Sequence, residues 1–211
     1  MRFLLLFISI FVSQNAFSST LKLDYSLFFG YMKTLYKLDY QDVTTAFYLV
    51  QPSGESCTIK KAELVVDEKR DPIEFQSEGR LLPFFSDQHR KDGGVIYVTT
   101  AENQNCALQV TLMAKESQLD ALTFAKLTLI SEQLEGVLRK NAGMIGRYFL
   151  PTYQGLRFKL ASPISADSAL KLGYSVADNG DLLISNKRIN ATQVTELIPY
   201  QVLRITPWIV K

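Results

Sequence analysis

Histidine is nearly missing from this chain of 211 residues; His89 is the single one. Zinc catalysis normally needs two or three His ligands, so one is too few, and a structural zinc site wants more Cys or His than one His and two Cys. His89 lies in Ser86-Asp87-Gln88-His89-Arg90-Lys91-Asp92, a polar stretch that reads as a surface loop. A serine triad needs a His beside both a Ser and an acid, and no G-x-S-x-G elbow is present to supply the serine. An excess of one charge is missing too. Lys and Arg number 23 against 21 Asp and Glu, for a net charge of +2, and the lysines are scattered. Nucleic-acid binders concentrate basic residues on one face, so no nucleic-acid partner is expected.

Long apolar runs are scarce. The longest, Phe3 to Val12, is broken by Ser9 and falls well short of the roughly 20 residues that span a bilayer. No transmembrane segment is expected in the mature chain. A glycine-rich phosphate loop is missing, since Gly143 and Gly146 neither follow a strand nor match the fingerprint. Ser168-Ala169-Leu170-Lys171 matches S-x-x-K, but the S-D-N and K-T-G elements that accompany it in penicillin-binding enzymes are absent. A helical turn capped by Ser168 or Asp167 explains it. Asp178 and Asp181 flank a glycine, yet their spacing fails the alternating ligand pattern of a calcium loop. No metal and no cofactor is expected, and no catalytic residue can be assigned.

The N-terminus has a positive start at Met1-Arg2, then the apolar run, then Ser13-Gln14-Asn15 and the small residues of Ala16-Phe17-Ser18. That three-part layout is a signal peptide. We expect cleavage between Ser18 and Ser19, which leaves 193 residues, and a periplasmic or secreted protein. In that setting the two cysteines, Cys57 and Cys106, read as a disulfide. They stand 49 positions apart, and closing a loop of that size stabilises by about 4 kcal/mol in the chain-entropy model.

Leu21 to Tyr40 has helical periodicity. Leu27, Tyr31 and Leu35 form one row, Phe28, Met32 and Tyr36 a second, and Asp24 or Ser26 can cap it. The row spacing makes these aromatics core residues. Val43–Val50, Thr58–Val66, Ile73–Gln76, Arg80–Phe85, Val95–Thr100 and Ala107–Ala114 read as strands, with turns at 67–72 and at Asp92-Gly93-Gly94. Leu119 to Lys140 reads as a long helix, capped by Ser117 and stopped by Gly143. Leu156–Leu160, Gly173–Ala177, Leu182–Ser185, Val202–Ile205 and Trp208–Val210 read as further strands. Asn179-Gly180 forms a hairpin turn, and Pro207 interrupts the last pair.

The expected fold is α+β. Residues 1–18 are the signal peptide. Residues 19–115 form a helix plus a β-sandwich-like unit, with the cysteines at strand starts as a staple. Residues 116–150 hold the connecting helix and a junction, Gly143 to Pro151, too apolar for a linker and expected to pack with Phe149 buried. Residues 151–211 form a smaller β-rich unit.

Four stretches resemble a family of small exported gamma-proteobacterial proteins that carries only a domain-of-unknown-function label. They are Thr45-Ala46-Phe47-Tyr48-Leu49-Val50, Cys57-Thr58-Ile59, Gly143-Met144-Ile145-Gly146-Arg147-Tyr148-Phe149-Leu150-Pro151 and Pro207-Trp208-Ile209. These motifs are apolar and structural, so the resemblance implies no activity and no site residue. The expected function is a non-catalytic binding or envelope-assembly module whose partner is another envelope protein. The alternatives are a hydrolase of an envelope polymer using paired carboxylates, and a carrier of an apolar ligand, which needs a cavity of roughly 300 Å³ or more.

Overall fold

A computed structural model describes residues 19–120, 122–146, 152–191 and 200–210. The fold is α+β, with three four-stranded antiparallel sheets. The signal segment and Ser18 lie outside the described residues, as do Phe149 and Pro151 of the expected packed junction.

The first described segment is a strand. β1 (Thr20–Asp24) alternates and pairs antiparallel with β7 (Val95–Thr100), Leu21 opposite Val98 and Leu23 opposite Ile96. The helix expected from Leu21 therefore begins later, as α1 (Tyr25–Leu38), with Asp24 as its cap accepting from the Ser26 amide at 2.8 Å. Only Tyr25, Phe28 and Phe29 of α1 are fully buried, while Leu27 and Tyr36 are exposed. Those two residues were expected in the core. The core-facing stripe instead follows Tyr25, Phe28 and Phe29 because β1 delivers the helix onto the sheets from that side.

β2 (Val43–Val50), β3 (Ile59–Val66), β4 (Lys69–Pro72), β5 (Glu74–Phe75), β6 (Arg80–Leu82) and β8 (Ala107–Ala114) complete two sheets ordered β1-β7-β3-β4 and β5-β6-β2-β8. The charge run expected to be only a turn is a hairpin. Asp67, with positive φ, forms the turn, and Lys69–Pro72 pairs back onto β3 as an edge strand. An edge strand exposed on both sides carries charges and a proline without penalty, which is why no apolar pattern announces it. Arg80–Phe85 is strand only to Leu82. In β3, Ile59 faces Thr100 and Lys61 faces Thr99. Lys60 is therefore an extra residue, which lets Ile59 and Ala62, three apart, both point inward.

The two sheets and α1 enclose one core of Tyr25, Phe28, Phe47, Leu49, Leu64, Ile96 and Val98. Cys57 and Cys106 are bonded to each other, with α-carbons 6.2 Å apart. Cys57 precedes β3 and Cys106 precedes β8, so the bond ties one sheet to the other.

After a short 3-10 turn at Glu116–Gln118 comes α3 (Phe124–Gly146). The helix expected from Leu119 with a Ser117 cap starts instead after Thr123, whose hydroxyl accepts from the Lys126 amide at 3.2 Å. Gly143 ends the regular helix, at φ 68°. β9 (Thr152–Leu160), β10 (Ser175–Val176), β11 (Leu182–Ser185) and β12 (Val202–Val210) make the third sheet, ordered β10-β11-β9-β12. Two short helices, α4 (Ala166–Lys171) and α5 (Asn186–Ala191), flank it. The cap of α4 is Ser165, not Ser168 or Asp167: its hydroxyl accepts from the Ser168 amide. The interruption expected at Pro207 does not occur. β12 runs through it, with Pro207 opposite Leu156, because β12 lies at the edge of its sheet and the missing N–H costs no central ladder bond.

The second core joins α3 (Leu127, Ile130, Leu134, Val137) to the third sheet (Leu156, Phe158, Ile184, Ile205). Val43 of β2 and Ala114 of β8 belong to it as well, and Leu35 and Leu38 of α1 pack against it. α1 and β2 thus serve both cores. Gln133 of α3 reinforces this seam, donating to the Asp42 carboxylate at 2.6 Å and accepting from the Asp42 amide at 3.0 Å.

Candidate functional site

Beyond Leu82 the chain leaves the sheet as Pro83-Phe84-Phe85 and enters α2 (Asp87–Lys91), which Ser86 caps through its hydroxyl. This crossing is anchored from beneath by Tyr25. Its phenol donates to the Phe84 carbonyl at 2.7 Å and accepts from the Ser86 amide at 2.8 Å. Burial pushes the Tyr25 phenol above its ordinary pKa, and the Ser86 amide partly offsets that. A fully buried hydroxyl thereby fixes an exposed pair of phenylalanines.

The second of them, Phe85, is the middle of a stack. Phe85 lies flat on buried Phe29 at 4.7 Å between centroids and 9° between planes. Tyr36 lies on Phe85 at 5.1 Å and 21°. Tyr36 is 75% exposed and Phe85 40%, so the outer rings face solvent. The Arg90 guanidinium sits 5.0 Å from the Phe29 ring centre and the Lys33 ammonium 5.6 Å, so cations flank the ladder. Beside it runs an open groove of about 640 Å³, walled by Met32 and Leu35 of α1 on one side and by Leu81, Leu82 and Pro83 on the other. Its polar end holds Asp39, Arg80 and Lys115. Arg80 is buried and pairs with Glu116, and its Nε has no partner.

His89 is not in an open loop. It lies half-buried in α2, edge-on to Phe84 at 5.2 Å and to Tyr25 at 6.2 Å. Its Nε2 is 3.9 Å from the Asp71 carboxylate, its Nδ1 bonds to nothing, and Ser86 bonds to its backbone rather than its ring. The histidine packs against these rings, and among the described residues no serine hydroxyl bonds to its ring. Ser168 accepts from Ser165 at 2.8 Å and makes no bond to Lys171. Asp181 accepts from Asn179 at 2.8 Å and lies 3.9 Å from Arg157. Among the described residues no group of three or more His, Cys, Asp or Glu could hold a metal ion.

Cys57 and Cys106 meet at the base of the sandwich, away from the groove lining. Ser19, the first described residue, is held by β7: its carbonyl accepts from the Thr100 amide at 3.0 Å. No groove was expected from the sequence: Met32, Leu35 and Tyr36, which line it, were read as core packing. A usable sign was Phe84-Phe85 next to Pro83. Two adjacent large apolar residues cannot both face one core from an alternating strand, so one must look outward.

Fold and clefts define a disulfide-joined α+β protein with an open aromatic groove. The chain belongs to the family described as Protein of unknown function (DUF2987), whose model matches residues 17–160. Every residue that lines the groove falls within that span. No curated protein and no solved structure matches the chain.

Proposed function

We propose that this is an exported, non-catalytic binding module that docks an apolar segment of another envelope protein into the groove between α1 and residues 80–85. The Tyr36–Phe85–Phe29 ladder carries the reading. Surface aromatics held rigidly by a buried hydroxyl give contact area at little entropic cost, and contiguous exposed apolar surface marks interaction sites. Lys33, Arg90 and Lys115 around the groove favour a segment with acidic residues next to its apolar anchors. Export rests on the layout of residues 1–18 and agrees with a disulfide joining the sheets.

The hydrolase reading has less support. Among the described residues, Asp39 is the single carboxylate lining the groove, and glycoside hydrolysis uses two, about 5–10 Å apart. The groove's volume exceeds what an apolar-ligand carrier needs, and native mass spectrometry of the purified protein distinguishes that case by a retained lipid. The docking test is photo-crosslinking in the envelope from position 36, with exposed Leu170 as the control position. We expect a discrete adduct from position 36 only, mapping to an apolar segment with neighbouring Asp or Glu. A synthetic peptide of that segment should bind at least tenfold more weakly to Phe85→Ala. Equal adducts from both positions, or equal peptide affinity, would sink the proposal.

A further inference from the structure

A second cleft, of about 820 Å³, lies where β8, the last strand of its sheet, meets β12, the edge of the third sheet. Strand register builds its floor. Arg157 and Lys159 stand two apart on β9 and so share a face. Across the ladder, Lys159 is opposite Arg204 and Arg157 is opposite Thr206. The other face of the same strands carries buried Leu156, Phe158 and Ile205. Three cations are thereby fixed on one face by the core packing beneath them.

That placement is unfavourable for an empty sheet, because like charges directly opposite each other destabilise an antiparallel pair. Compensation within the protein is small. Asp181, 3.9 Å from Arg157, is the one carboxylate lining the cleft among the described residues. Arg204 lies over the Tyr48 ring at 5.3 Å. Glu78 and Glu116 border a separate cavity of about 60 Å³ on the Lys159 and Arg204 side, and Glu116 is taken by Arg80.

Two residues of the cleft lining carry orphaned polar atoms. Thr45 Oγ1 and Arg157 Nε are each buried with no hydrogen-bond partner. Buried polar atoms are nearly always satisfied, so two exceptions in one cleft call for a cause. Each gains a partner on turning toward an oxygen-rich ligand in the cleft, since Arg157 Nε only donates and the threonine hydroxyl does both. Gln109, Thr111, Asn141 and Asn179 add amides and a hydroxyl to the lining.

We propose that this cleft binds an acidic ligand of saccharide size, its carboxylate or phosphate held by Arg157, Lys159 and Arg204 and its hydroxyls by the amide and threonine side chains. Thr45 lines both this cleft and the aromatic groove, but the three cations line this cleft and not the groove, and the proposal does not rest on the docking proposal.

The test is titration of the ¹⁵N-labelled protein with glucuronate, glucose 6-phosphate, glucose and inorganic phosphate, each to about 10 mM, a range that detects even millimolar affinity. One or both acidic sugars should shift the amides of residues 157, 159 and 204, and which one does so identifies the acid. Glucose should not. Arg204→Gln and Lys159→Gln should each weaken binding about tenfold, while the folded spectrum and the response to added salt identify the loss as electrostatic. Lys159→Gln should also raise the melting temperature of the ligand-free protein, since it removes the cross-strand repulsion, so a folding defect cannot imitate the result. The proposal is overturned if neither acidic sugar shifts those amides, if inorganic phosphate binds as well as the acidic sugars, or if both variants bind normally.

Discussion

Tyr153 shows how one side chain can set a pH limit on the fold. Its hydroxyl meets Ser131 Oγ at 2.9 Å and donates to the Ser131 carbonyl at 3.2 Å, while Ser131 Oγ donates to Asn186 Oδ1 at 2.7 Å. Three elements, α3, β9 and α5, are joined through this network. Burial pushes the phenol far above its ordinary value, and the nearby Glu135 charge adds to the rise. The unfolded chain releases this proton near pH 10, and the folded chain holds it to higher pH. Folded protein therefore binds more protons than unfolded above pH 10, and stability must fall as pH rises from there. It is fully present below that value. Urea midpoints between pH 8 and 11.5 should show the decline, and Tyr153→Phe should flatten it while lowering stability at pH 8. An identical slope in the variant would remove Tyr153 from this role.

At the scale of elements, β9 depends on a glycine. Gly155 has φ 154°, and a β-carbon there would come 2.2 Å from the Ile184 carbonyl oxygen and 2.8 Å from the Asn186 amide. Neither backbone atom can move without parting β9 from β11. Gly155→Ala should destabilise the protein by about 3 kcal/mol, from backbone strain and overpacking together, measurable as a drop in urea midpoint at unchanged slope. A loss under about 0.5 kcal/mol, typical of surface changes, would mean the strands part easily. Elements with a local signal were legible from the sequence. β2, β7, β8 and β11 agree with their expected bounds, because each is a β-branched, apolar run closed by turn residues. β1 was absorbed into the neighbouring helix although Leu21 and Leu23 alternate, because the apolar residues of α1 follow without a break. β4 and the Pro207 stretch of β12 lie at edges, where burial imposes no pattern. The groove was illegible for a different reason. Phe29, Tyr36 and Phe85 meet across some fifty residues of chain, and no local period encodes a stack of that kind.

Among the described residues the two large cores share α1 and β2, a small cluster of Ala46, Tyr48 and Met113 lies beside them, and a disulfide staples the two N-terminal sheets. Reducing Cys57–Cys106 frees a loop of 49 positions and should cost about 4 kcal/mol in the chain-entropy model. We expect the urea midpoint to fall on adding reductant, with thiol labelling of the native protein blocked at both positions. We also expect one transition before and after reduction, since neither core has a boundary that avoids α1 and β2. Free thiols in the oxidised protein would refute the bond, and two separate transitions would show that the cores unfold independently.

The partner of β1 has a consequence for the order of folding. The strand partners of Thr20 to Asp24 are Thr99 to Val95, and the Tyr25 amide donates to the Gly94 carbonyl. β2 likewise finds β8 more than fifty residues downstream. Among the described residues β1 has no strand partner before β7, and β2 none before β6. Non-local pairing of this kind slows folding to milliseconds or longer, and β1 cannot join its sheet until the chain as far as Thr100 is present. β1 then closes last on its sheet, as a latch.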